Sequence, residues 1–80
     1  FKQRIQSLIL MTTIDLTFGN RVRSIRSELK ISQEKLAYLA NIDRAHMGHI
    51  ERGSVSPSLK KINQIAVALD VSVKSLLGDL

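Results

Sequence analysis

The tract from Ile31 to Gly53, ISQEKLAYLANIDRAHMGHIERG, constrains the fold more than any other part of the chain. It holds two short amphipathic segments joined by a tight turn. Ser32 can cap a helix whose apolar residues Leu36, Ala37, Leu39 and Ala40 share one face, and the small side chain of Ala37 lets a second helix cross closely. Asn41 marks the turn. Asp43 can cap the next helix, with Ile42 before it and Met47 after it placed as a hydrophobic staple, and Ile50 continues the buried stripe. Arg44, Ala45, His46 and His49 are left facing outward.

The flanking sequence adds three more helices. Phe18, Val22, Ile25 and Leu29 recur at steps of four, three and four, which predicts a first helix over about 17–29, with Arg21, Arg23 and Lys30 off its apolar stripe. The second and third helices follow at about 33–40 and 44–51, and Gly53 is a helix stop. Ser56 and Pro57 read as the N-cap and first residue of a fourth helix, because proline lacks the N–H that has no partner there anyway. Leu59, Ile62, Ile65, Ala66 and Leu69 would supply its buried face. A fifth helix begins at Ser72, with Val71 and Leu76 at staple spacing, and ends at Gly78. No segment alternates with period two long enough to make a strand. The expected class is therefore all-α, with five helices in one domain over residues 17–80.

Residues 1–16 are an N-terminal extension with two readings. Ile5, Leu8, Ile9 and Thr12 can make a short helix, while Leu8 to Leu16 can equally be an extended arm. Met11 is a candidate natural start, with residues 1–10 coming from added sequence or from an upstream start site.

In order along Phe18 to Leu77, the segments GNRVRSIR, SQEKLA, DRAHMGHIERG, SPSLKKINQIAVAL and VSVKSLL resemble the landmarks of the Cro/CI-type, or XRE, family of repressors. The resemblance implies a lambda-repressor-like domain with a helix-turn-helix at helices two and three. DRAHMGHIERG is most similar to the controller regulators of restriction-modification systems, and similar tracts occur in phage repressors and antitoxins. The family usually has glycine where this chain has Asn41, so the turn needs a positive φ, which asparagine tolerates better than most residues.

This placement gives the exposed residues candidate roles. Arg44 stands at the first turn of the recognition helix, where a guanidinium can bond guanine O6 and N7 together, and the plain alternative is a solvated arginine. His46 and His49 can meet a base edge or a phosphate. Ala45 can touch a thymine methyl or simply favour the helix. Gly48 is unusual inside a helix, where it costs about 1 kcal/mol relative to alanine; its missing side chain would let DNA or another helix approach. The resemblance implies a phosphate contact for Gln33, made jointly with the helix N-terminus. Arg21, Arg23, Lys60 and Lys61 are further phosphate candidates. The resemblance also implies that Arg26 pairs with Glu51 behind the motif. It places a dimer contact on helix five and nearby apolar residues of helix four, supplied by Val73, Leu76, Leu77 and Leu80.

Composition narrows the function. Eighty residues with 44% hydrophobic content support one modest core. Twelve Lys and Arg against seven Asp and Glu, a formal charge of +5, suit a polyanionic partner. The aromatic residues are Phe1, Phe18 and Tyr38, too few for the stacking platforms that hold single strands and RNA loops, so duplex DNA is the better fit. There is no cysteine, so no disulfide framework and no thiolate metal site, which suits a reducing cytoplasm. His46 and His49 lack the further ligands that a metal site needs, and no cofactor is expected. No uninterrupted apolar run, Leu8 to Met11 included, comes near the roughly 20 residues of a membrane span. With no acidic pair, nucleophile motif or phosphate-cradling glycine loop, an enzyme is not expected. The expected function is a homodimeric, sequence-specific regulator on a two-fold DNA operator, in which half-sites lie about 34 to 36 Å apart. An antitoxin or other protein-interaction module of the same fold, with a toxin as partner, is the alternative.

Overall fold

The computed structural model describes the backbone of residues 2–78 and the side chains of residues 13–78. Five helices follow one another: α1 (Lys2–Glu28), α2 (Gln33–Ala40), α3 (Arg44–Arg52), α4 (Leu59–Leu69) and α5 (Val73–Leu77). No strand occurs among the described residues.

Side-chain caps set the starts of the four later helices. The Ser32, Asp43, Ser58 and Ser72 oxygens accept from the backbone N–H groups of Lys35, His46, Lys61 and Ser75, at 2.9, 3.2, 3.2 and 2.9 Å. Each satisfies one donor of an otherwise unpaired first turn. Helix ends are closed by left-handed residues: Lys30, Asn41, Gly53 and Asp70 have φ of 58°, 56°, 74° and 59°. Around this frame Phe18, Val22, Leu36, Ala37, Ala40, Ile42, Met47, Ile50, Ile62, Ile65, Ala66, Leu69 and Leu76 form one core.

Several expectations are corrected. The first helix does not begin near residue 17 but runs back to Lys2, so the extended arm over Leu8–Leu16 does not form. No proline or glycine precedes Gly19 to stop a helix that Phe18 and Val22 anchor in the core. The side chains of Ile5, Leu8, Ile9 and Thr12 lie outside the described residues. At the other end, Lys30 takes the left-handed conformation and the N–H of Ile31 returns to the carbonyl of Arg26 at 3.3 Å. That turn swings Leu29 outward, 49% exposed, and it is Ile31 that packs against the core. Leu39, on the flank of α2 rather than its inner face, is also exposed.

The fourth helix begins two residues later than Ser56–Pro57 suggests, with Ser58 as its cap. The Ser56 hydroxyl is engaged elsewhere, donating to Asp15 Oδ2 at 2.6 Å and tying the loop to α1. Leu59 then opens α4 one turn short of the core contacts that start at Ile62, and is 79% exposed. In α5, Leu76 is fully buried in the protein's own core and Val73 and Leu77 are half-buried against it, so Leu76 is no part of an exposed dimer face. Leu80 lies outside the described residues.

Candidate nucleic-acid interface

The inner side of α3 is held by a close helix crossing. A Cβ on Gly19 of α1 would stand 2.5 Å from the carbonyl oxygens of both Ile50 and Glu51, so only glycine allows α1 and the last turn of α3 to approach this far. Gly53 continues the approach, lying against the backbone of Leu16.

The crossing brings the arginines of α1 onto a buried carboxylate. Glu51 is 1% exposed. Arg26 grips it with two bonds, Nε to Oε2 at 2.8 Å and Nη2 to Oε1 at 3.0 Å, and its Nη1 donates to the carbonyl of Ile31 at 3.0 Å. Gln33 Nε2 adds a bond to Oε1 at 3.2 Å. Arg23 donates to the Glu51 carbonyl at 3.2 Å, with its Nε 3.8 Å from Oε1. A buried charge is tolerable only when its lone pairs are met this fully. No buried side-chain nitrogen or oxygen among the described residues lacks a partner.

The outer side of α3 differs. Arg44, Ala45 and His49 are exposed and His46 is half-buried, all on the first two turns. Arg44 reaches Glu34 at 3.9 Å with both side chains mostly in solvent, a pairing too weak to hold the guanidinium against a competing partner. Met47, Ile50 and Glu51 are turned inward and Gly48 is covered by the side chains of Arg52 and Gln33, so α3 presents one face to the core and keeps Arg44, Ala45 and His49 clear of it.

The remaining candidates are dispersed. Gln33 opens α2 at the edge of this face, with its amide N–H on Glu51. Lys60 is exposed and Lys61 half-buried on the first turn of α4. Arg21 is committed elsewhere: its Nη1 donates to the carbonyls of Leu77 at 2.5 Å and Leu76 at 3.3 Å, closing the end of α5, which takes it out of the set of free phosphate candidates. A cation near a helix C-terminus is favourable there. Arg23, half exposed and bonded to Glu51, serves the brace first.

One residue that holds α3 in place was missed in the sequence. Gly19 carried a readable signal, since a glycine inside an otherwise helical pattern often marks close packing. No helix of the described residues is long and apolar enough to cross a membrane.

Residues 17–76 match the family described as a helix-turn-helix domain. The chain belongs to this helix-turn-helix family of DNA-binding transcriptional regulators. Control protein C.BamHI of Bacillus amyloliquefaciens is 44% identical over 69 residues, covering 85% of this chain and 85% of that protein. The immunity repressor protein of Bacillus phage phi105 is 38% identical over 64 residues, and the matched region spans 80% of this chain but only 44% of the repressor. Among solved structures, the restriction-modification controller protein C.AhdI from Aeromonas hydrophila superposes with a TM-score of 0.75 at 41% identity, covering 76% of this chain and 92% of its own. The five-helix order expected from the sequence is the order that this helix-turn-helix regulator adopts.

Proposed function

We propose that this regulator acts as a homodimer on a two-fold duplex operator and controls the expression of a restriction-modification system. The observation that carries the reading is the division of α3: an inner face locked by Gly19, Arg26 and Glu51, and an outer face with Arg44, Ala45, His46 and His49, where the contacts of Arg44 to Glu34 and of His49 to Arg52 and Ser54 are all solvent-exposed. A recognition helix needs both, because side chains read base edges only if the helix behind them does not shift. The likeness to C.BamHI and C.AhdI, over most of both proteins, supports the choice of regulated system.

In this reading Arg44 bonds guanine in the major groove, and His46, His49 and Ala45 contact neighbouring base edges or the thymine methyl. Gln33, Lys60 and Lys61 meet phosphates and fix the register. One recognition helix spans few base pairs, so specificity requires two copies. With Leu76 inside the core, the apolar surface for a second copy comes from Val67 of α4, 71% exposed, together with half-buried Val73 and Leu77 of α5. Selection of bound duplexes from a random pool at fixed salt tests the proposal. A palindromic consensus is the expected result, and recovery of no consensus at any salt would refute it.

A further inference from the structure

The geometry points to Arg21 as the residue that sets which half-site spacing the dimer accepts. The inference rests on the reading in which Val73 and Leu77 of α5 meet a second copy of the chain on a two-fold operator. At five residues, α5 is little more than one turn and too short to be a stable helix by itself. Leu76 anchors it in the core. A single anchor lets a short helix pivot, and the carbonyls of Leu76 and Leu77 come too late in the helix to have an intrahelical partner. Arg21 answers both needs: its Nη1 donates to the carbonyls of Leu77 at 2.5 Å and Leu76 at 3.3 Å. Gly78 leaves the guanidinium its room, because a Cβ at that position would stand on top of Arg21 Nη1. The side chain of Leu76 and the clamped carbonyl end together fix the tilt of α5, and hence where Val73 and Leu77, one turn apart on the same face, point.

The same stretch of α1 holds α3. Gly19 lies against the carbonyls of Ile50 and Glu51, and Arg23 and Arg26 bond to Glu51. Positions 19 to 26 are about two turns of helix, roughly 11 Å of stiff backbone. The helix that meets the second copy and the helix that reads bases are therefore both referenced to one short piece of α1, with no loop between the two sets of contacts. Across a two-fold axis the relation of α5 to α3 enters twice, so a change in the tilt of α5 displaces one recognition helix from the other by double the error. Neighbouring spacer lengths differ by only about 3.4 Å along the duplex and about 35° around it. A seam held to that tolerance selects one spacer, and a seam that pivots accepts several. Arg21 touches neither base nor phosphate in this scheme and acts as a positioning residue.

Duplexes that carry the selected half-site twice, with the spacer varied one base pair at a time, test the assignment, alongside sedimentation and thermal melting of the same proteins. The parent should bind one spacer best. Arg21→Ala should keep the base preference within each half-site, lose most of the preference among spacers, and weaken dimerisation by about tenfold, as loss of a charge-assisted bond does. Arg21→Met gives the same result and keeps the packing of the stem while removing the donors, so it serves where the alanine protein does not fold. A merely structural role for Arg21 would lower the melting temperature and leave the choice of spacer where it was. A folded, dimeric Arg21→Ala or Arg21→Met protein that keeps the parent's best spacer, with the parent's margin over the others, overturns the inference. Leu77→Glu, measured in parallel, separates the two levels. If it remains a dimer, the seam lies elsewhere and the inference falls with that reading; if it is a folded monomer while Arg21→Met keeps the parent's spacing, the seam stands and only the role of Arg21 fails.

Discussion

The two faces of α3 use the same residue types for opposite ends. Behind the helix, buried Glu51 and half-buried Arg26 are matched bond for bond, with Gln33 completing the acceptor. In front, Arg44 is largely in solvent and its contact to Glu34 is long. Burial decides the difference. A desolvated arginine must be paired and becomes a structural element, whereas a solvated one keeps its donors available for a partner from outside. Substitutions behind α3 should therefore change stability first, and those in front should change binding with stability intact.

The largest break in that comparison is Glu51→Ala. It strands Arg26 without its carboxylate and leaves Gln33 without its acceptor, while Arg23 keeps its bond to the backbone carbonyl of residue 51, at an expected cost of roughly 3 to 5 kcal/mol. In a small domain of marginal stability this unfolds much of the population at ambient temperature. Thermal melting by circular dichroism decides it, and a melting temperature equal to the parent's would mean that the network is not a brace. Gly19→Ala should follow closely, at about 1 to 3 kcal/mol or more, because the atoms its methyl meets are backbone carbonyls that cannot rotate aside.

On the front face, Arg44→Ala should leave the melting temperature near the parent's and cost about 1 to 3 kcal/mol at one guanine per half-site. Competition between duplexes differing at that base measures it. A uniform loss over all sequences would convert Arg44 from a base reader to a phosphate contact, leaving the two faces of α3 distinct but the code elsewhere.

Much of this division was legible beforehand. Caps at Ser32, Asp43 and Ser72, the turn at Asn41 and the buried positions Leu36, Met47 and Ile50 follow from short-range rules, because capping and helical period act within a few residues. What escaped were choices between near-equivalent local options settled by distant contacts. Ser56 and Ser58 both resemble caps, and Asp15, far away in sequence, claims the first. Leu29 continues the stripe of the first helix and Ile31 does not, yet a positive φ at Lys30 ends the helix and puts Ile31 against the core instead. Arg21 looked free on a helix surface until α5 folded against it. Leu76 had the pattern of a surface seam, yet a helix as short as α5 contributes its best residue to the core.

The smallest effects should come from positions on neither face, which makes them controls. Lys30 and Asn41 both hold the left-handed conformation, at φ of 58° and 56°, as the chain leaves α1 and α2. For lysine that conformation costs about 1 to 2 kcal/mol from Cβ crowding, while asparagine visits it more readily through local hydrogen bonding. Glycine removes the crowding but adds about 0.4 to 1 kcal/mol of unfolded-state entropy. Lys30→Gly should therefore stabilise by about 0.5 to 1 kcal/mol, and Asn41→Gly by no more than a few tenths. Neither side chain belongs to the Glu51 network or to the outer face of α3, so base preference should not move in either variant. Paired melting curves measure the ordering, and a larger gain at Asn41 than at Lys30 would show that the turn of the motif, not the end of α1, is where this fold stores strain.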